Sequence, residues 1–113
     1  MQDIHAKLRF LPLSAQKVRL VVDMVRGKDV VEALETLRFV QKRAALPVRK
    51  LLASAVSNAE ENFGVSRDDL FVATIFADEA PTRRWRRFGA RGRFKPILRR
   101  TSHVTVVLRE RDA

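Results

Sequence analysis

Nine of the chain's 23 basic residues fall between Arg83 and Arg100, an eighteen-residue stretch that contains no acid. They are Arg83, Arg84, Arg86, Arg87, Arg91, Arg93, Lys95, Arg99 and Arg100. The other 95 residues hold 14 basic and 13 acidic groups, so nearly all of the net charge of +10 sits in this segment. Charges crowded in this way repel one another and oppose compaction. They call for a polyanion, and phosphate is the usual one. The chain therefore divides into a nearly neutral body that can fold around its own core and a cationic segment that cannot.

A length of 113 residues suits a single domain, 1–113, with a body at 1–79 and 101–113 and a basic hairpin at 80–100. Apolar residues make up 46% of the chain, enough for a small core. There is no cysteine, which excludes disulfides, thiolate nucleophiles and the usual structural zinc sites and fits a cytoplasmic location. No apolar run approaches the ~18 residues of a membrane span, so no membrane insertion is expected. The N-terminal MQDIHAKLRF lacks the apolar stretch of a signal peptide. Coating of an anionic membrane favours lysine on a helix with an apolar face. Here arginine leads, and glycine and proline interrupt.

The hydrophobic pattern predicts an α+β fold: three helices packed on a small three-stranded antiparallel sheet, with a long extended β-hairpin projecting from it. Residues 4–11 alternate, with Ile4, Ala6, Leu8 and Phe10 on one face and His5, Lys7 and Arg9 on the other. Ser14 is placed to cap a first helix, in which Val18, Val21, Val22 and Val25 recur at helical spacing, and Gly27 is placed to stop it. Asp29 is placed to cap a short second helix with Val30, Ala33, Leu34 and Leu37 inward. The third helix is expected from about Leu46. Its stripe is Val48, Leu51, Leu52, Ala55, Val56, Ala59 and Phe63, followed by Gly64 as a stop, and Pro47 fits a first turn. Arg49 and Lys50 stand early in this helix and Glu60 and Glu61 late, against the macrodipole, each costing about 0.3–1 kcal/mol. Residues 70–77 are apolar on both faces and read as a central strand. Val104, Val106 and Leu108 mark a last strand. Between these strands lies a connection too long for an ordinary hairpin loop. Arms of about ten residues would reach roughly 30 Å.

Arginine's planar fork pairs with phosphate oxygens and stacks on exposed bases. Aromatic residues among arginines suit single-stranded or irregular RNA, and Trp85, Phe88 and Phe94 are interleaved here. If most of the nine cations met phosphates, log affinity would fall with log salt at a slope of roughly −6 to −8. A solvated loop or a nuclear-localisation tract explains nine cations with interleaved aromatics less well. Such tracts are typically lysine-rich and do not join two strands.

Enzyme readings fail on inventory, and no cofactor is expected. Asp78 and Glu79 are adjacent on a strand, where neighbours point to opposite faces, so they would not share a metal. Pairing with Arg99 or Arg100 at the hairpin base suits them better. His103 reads as an outward hydrogen-bonder or an RNA contact, and His5 carries no specific signal. The turn around Gly27 and Lys28 is faintly like a helix-turn-helix. The second helix, however, presents Glu32, Glu35 and Thr36 where a DNA reader would carry Arg, Asn or Gln. The alternatives left open are a free RNA chaperone and a basic DNA-binding protein.

Five blocks run in order along nearly the whole chain: SAQKVRLVVDMVRGK (14–28), NAEEN (58–62), DEAP (78–81), ARGR (90–93) and RRTSHVTVVL (99–108). Together they resemble the bacterial-type large-subunit ribosomal protein of the L-twenty-two family. The resemblance implies a structural constituent of the large ribosomal subunit that binds its ribosomal RNA and supports its assembly. It implies a hairpin that threads between RNA segments and lines the nascent-peptide exit tunnel. Expected partners are large-subunit ribosomal RNA, neighbouring large-subunit ribosomal proteins and the nascent polypeptide, without homo-oligomers. By position the resemblance marks Lys17, Arg19, Arg91, Arg93, Arg99, Arg100, Thr101, Ser102 and His103 as RNA-binding. Lys7, Arg9, Arg83, Arg84, Arg86, Arg87 and Lys95 join them on charge. The tip expected to line the tunnel is Arg84, Trp85, Arg86, Arg87, Phe88, Gly89, Ala90 and Arg91. The outward arm departs from the family pattern: Arg83 to Gly89 are richer in arginine, and the proline that usually precedes ARGR is absent. The expected mechanism is electrostatic scaffolding. The arm is poorly ordered when free, with fast amide exchange over about residues 82–98, and ordered when RNA supplies the counter-charge.

Overall fold

The computed structural model describes residues 3–88 and 94–111, and for the strands Arg83–Phe88 and Phe94–Arg99 it describes the backbone. In chain order the elements are β1 (Asp3–Leu11), α1 (Ala15–Val25), α2 (Val30–Phe39), α3 (Ala45–Asn62), a 3-10 turn (Arg67–Asp69), β2 (Leu70–Glu79), β3 (Arg83–Phe88), β4 (Phe94–Arg99) and β5 (Ser102–Glu110). Strands β1, β5 and β2 form an antiparallel sheet in that order, and β3 pairs with β4 in a separate two-stranded one. The predicted α+β architecture is the observed one.

One face of the body sheet meets the helices. Ile4, Val72, Ile75, Val104, Val106 and Leu108 are buried there against Val18, Val22, Val48, Leu52 and Val56. Valine is a mediocre helix former, costing up to about 0.7 kcal/mol relative to alanine. Burying a valine contributes about 1.5–3 kcal/mol. Val18, Val21, Val22 and Val25 are all fully buried, so packing decides that α1 is helical. The same comparison settles α3. Its seven buried residues outweigh the ill-placed charges, and Pro47 sits in the first turn, where no hydrogen bond is lost. Late in α3, Glu60 is held by the forked guanidinium of Arg67, at 2.9 and 3.2 Å.

Gly27 (φ +81°) and Gly64 (φ +67°) follow α1 and α3 in the left-handed conformation that favours glycine. Gly27 also donates its N–H to the carbonyl of Val72 (2.9 Å), tying the end of α1 to β2.

Several expectations are corrected by tertiary context. Phe10 is 58% exposed and Leu11 takes the core position, because a bulge interrupts β1. Arg9 and Phe10 together oppose His103 alone, and Phe10 adopts φ +57°. Strand β2 is an edge of the sheet and β5 is central. Its second apolar row is half covered by other means: Phe71 lies under the guanidinium of Arg111, 4.4 Å from the ring centroid. Ser14 and Asp29 occupy the N-cap positions, but neither side chain caps its helix. The Asp29 carboxylate is instead engaged by Arg111. Phe63 ends α3 as a half-exposed C-cap residue rather than a core one.

Candidate nucleic-acid interface

Two connections carry the chain from the body into the β3–β4 hairpin. The N–H of Ala80 donates to Thr101 O (3.0 Å), and the Thr101 hydroxyl donates to Pro81 O (3.2 Å). These bonds clamp the two arms where they leave the sheet. Beyond the clamp, β3 and β4 pair in register from Arg83 opposite Arg99 to Phe88 opposite Phe94, with Arg87 opposite Lys95. Two of the six residue pairs thus set cation against cation, which weakens a ladder that lacks a third strand. The described structure is elongated, 67 × 25 × 18 Å. Gly89, Ala90, Arg91 and Arg93, named from sequence for the tip and returning arm, lie outside the described residues, and Arg84, Trp85, Arg86, Arg87 and Phe88 are placed by backbone register alone.

At the hairpin base an open groove of about 720 Å³ gathers residues distant in sequence. Its walls include Lys17 from the first turn of α1, Arg43 from the α2–α3 connection, and Arg100 and Thr101 from the returning arm. Among the described residues Glu79 is its one acid. The N-terminus of α1 also opens here, with no side-chain cap on its amides and no acid in its first turn. An uncapped helix start beside three cations makes a strongly positive recess that suits phosphate. Sequence reasoning missed Arg43. It lies 57 positions from Arg100, and no periodicity or motif links them.

The remaining predicted contacts divide. Lys7 and Arg9 are exposed on β1, and Lys17 and Arg100 are exposed at the groove. Arg19 is committed in part to the body: its Nε donates to Ala77 O at 3.1 Å. His103 is an outward hydrogen-bonder, as read, but its partner is internal. Its Nδ1 accepts the Phe10 N–H at 3.0 Å, which places the imidazole proton on Nε2. Ser102, expected at the interface, is fully buried, and among the described residues its hydroxyl has no hydrogen-bond partner. Strand alternation explains this, because Ser102 shares the inward row of Val104, Val106 and Leu108. Among the described residues, Asp78 and Glu79 form no ion pair. The side chain of Arg99, one of their expected partners, lies outside the described residues.

Where partnered charges occur they are elsewhere in the body. Arg109 holds Asp3 at 2.8 Å, and this hydrogen bond, opposed by slight desolvation, keeps the carboxyl below the usual carboxylate range. Arg67 does the same to Glu60. Among the described residues no cluster of His, Asp and Glu has the makings of a metal site, and no helix is long and apolar enough to cross a membrane.

Residues 6–109 match the family model of Ribosomal protein L22p/L17e. The chain belongs to this family. L22p/L17e proteins are structural components of the large ribosomal subunit, not enzymes, and act within a ribonucleoprotein particle. The match runs from within β1 to the last but one residue of β5 and so takes in both the helical body and the hairpin.

Proposed function

We propose that the hairpin is inserted between segments of large-subunit ribosomal RNA and holds them together during and after assembly. On this reading the Arg84–Arg91 tip reaches the wall of the nascent-peptide exit tunnel. The observation that carries it is the concentration of nine cations and no acid in Arg83–Arg100 of a large-subunit ribosomal protein. Arg83, Arg84, Arg86, Arg87, Arg91, Arg93, Lys95 and Arg99 meet phosphates along the arm. Lys17, Arg43 and Arg100 receive the backbone where the arm leaves the body, and Lys7 and Arg9 extend the basic surface. Binding is driven by counterion release, and the RNA supplies the charge that the arm lacks.

Charge reversal of Arg91, Arg93 and Arg99 together tests this. The variant is expected to bind large-subunit RNA more weakly and with a smaller salt dependence, the slope losing about 0.9 for each lost phosphate contact. An unchanged slope would remove these residues from the interface. Sedimentation of a cell lysate gives the coarser check: the protein should travel with large subunits and stay there through moderate salt.

A further inference from the structure

The body sheet has a second face, which no helix covers. Register sets Lys7, Thr105 and Phe76 side by side across its three strands, with His5, Val107 and Thr74 in the next row. Phe76 is 39% exposed there. At the end nearer the hairpin, the β1 bulge turns Arg9 and Phe10 toward this same side. The Phe10 ring stands edge-on to the His103 imidazole, centroids 4.7 Å apart, while the Phe10 N–H donates to Nδ1.

Phe10 is held out at a cost. Its φ of +57° is a conformation that disfavours an L-residue by about 1–2 kcal/mol. No burial of the ring compensates, since the ring is exposed and pinned against His103. Backbone strain that persists in this way points to use of the side chain. This face carries Lys7, Arg9 and Arg109 against two acids, Asp3 and Asp78, the latter exposed in register with His103 and two residues beyond Phe76. Asp3 is engaged by Arg109, whereas among the described residues Lys7 and Arg9 have no acidic partner.

Two exposed aromatic rings on an open antiparallel sheet, flanked by cations, form the chemistry that reads unstacked bases. Duplex RNA would use the cations and have no need of the rings. A protein partner would favour one continuous apolar patch over two rings on opposite edge strands, roughly 10 Å apart. We propose that this face binds a single-stranded RNA segment, with bases stacked on Phe76 and on Phe10 and phosphates on Lys7 and Arg9. The proposal rests on the RNA-binding reading above and adds a surface separate from the hairpin.

The test uses the full chain with two probes, an oligouridylate and an RNA duplex of equal length, at several salt concentrations. Phe76→Leu and Phe10→Leu are each expected to weaken oligouridylate binding about fivefold or more, with the salt slope unchanged, because stacking releases no counterions. Duplex binding should be unaffected. Phe76→Tyr, which keeps the ring, should bind as the wild type does. Lys7→Gln should lower the slope by about one. Wild-type binding by both leucine variants, or an equal loss in Phe76→Leu and Phe76→Tyr, would overturn the proposal. Reversal of Arg84 and Arg86 separates the two surfaces. If it weakens RNA binding while the leucine variants do not, the hairpin reading stands and the sheet proposal fails. If only the leucine variants weaken binding, the sheet proposal stands and the hairpin reading fails. In assembled large subunits, an ultraviolet crosslink from Phe76 to a nucleotide supports the proposal, and one to a neighbouring protein overturns it.

Discussion

The guanidinium of Arg26 reaches from the end of α1 to the carbonyl of Ile75, with Nη2 at 2.8 Å and Nε at 3.3 Å. Arg19, two turns earlier, does the same for Ala77. Both carbonyls lie on β2, an edge strand whose unpaired groups would otherwise be a template for another chain. The edge is closed by the fork of Arg26, by the single Nε bond of Arg19, and by the main chain of Gly27 and Lys28 pairing with Val72. Two residues that look like spare surface cations thus complete the sheet.

Arg26→Ala should therefore destabilise the free protein by about 1–2 kcal/mol, the range for hydrogen bonds from a charged donor reduced for partial exposure. Urea unfolding should show a lower midpoint with an unchanged m-value. A shift indistinguishable from that of an ordinary surface substitution would show that the edge needs no such cover.

The Asp3–Arg109 and Glu60–Arg67 pairs make stability depend on pH in a definite direction. The hydrogen bond from arginine lowers each carboxyl's pKa in the folded chain. The unfolded chain therefore takes up protons first on acidification. The contribution of these pairs is complete above the unfolded carboxylate value of about 4 and is lost as pH falls through the lower folded values. Asp3→Asn combined with Glu60→Gln should make the acid limb of the stability curve shallower. Denaturant midpoints between about pH 6 and pH 2 would measure it, and an unaltered limb would assign the acid sensitivity to other carboxylates.

Ser102→Ala should leave RNA binding unchanged and hold or raise stability, by up to about 1 kcal/mol. The hydroxyl is buried without a partner, so its removal relieves a desolvation penalty and breaks no bond. Loss of RNA affinity with an unchanged melting temperature would place Ser102 in the interface.

Amide exchange should separate the two parts of the molecule. The seven buried residues of α3 predict protection close to that of global unfolding. The hairpin ladder, two strands wide with cations opposed at Arg83–Arg99 and Arg87–Lys95, should exchange fast over 82–88 and 94–98 in free protein and slowly once RNA is bound. Equal protection of hairpin and helix without RNA would contradict the expectation that binding orders the arm.

Most of the fold was legible because its signals are local. The four valines of α1, the stripe of α3 from Val48 to Ala59 and the alternation of β5 each announce an element within a dozen residues, and these are buried as read; Phe63, at the end of the stripe, is not. Misreadings arose where one element answers to another. The alternation of β1 gave no warning that a bulge would eject Phe10. The apolar run of β2 suggested a central strand because both its faces looked buried. Pattern cannot reveal that Arg111 would cover one face and Arg26 the open edge. The groove was half legible: Lys17 and Arg100 were named and Arg43 was not.

By itself the sequence determined the helices and strands, the segregation of charge into one acid-free arm, and the family. Each is a property of neighbours along the chain: spacing sets periodicity, and like charges in a short stretch repel whatever the fold. Tertiary structure alone decided which arginines are structural and which are free for a partner, which serine faces inward, and which aromatics stand open on the sheet. Those outcomes depend on which groups strand pairing and helix packing bring within hydrogen-bonding distance, across separations of fifty residues and more.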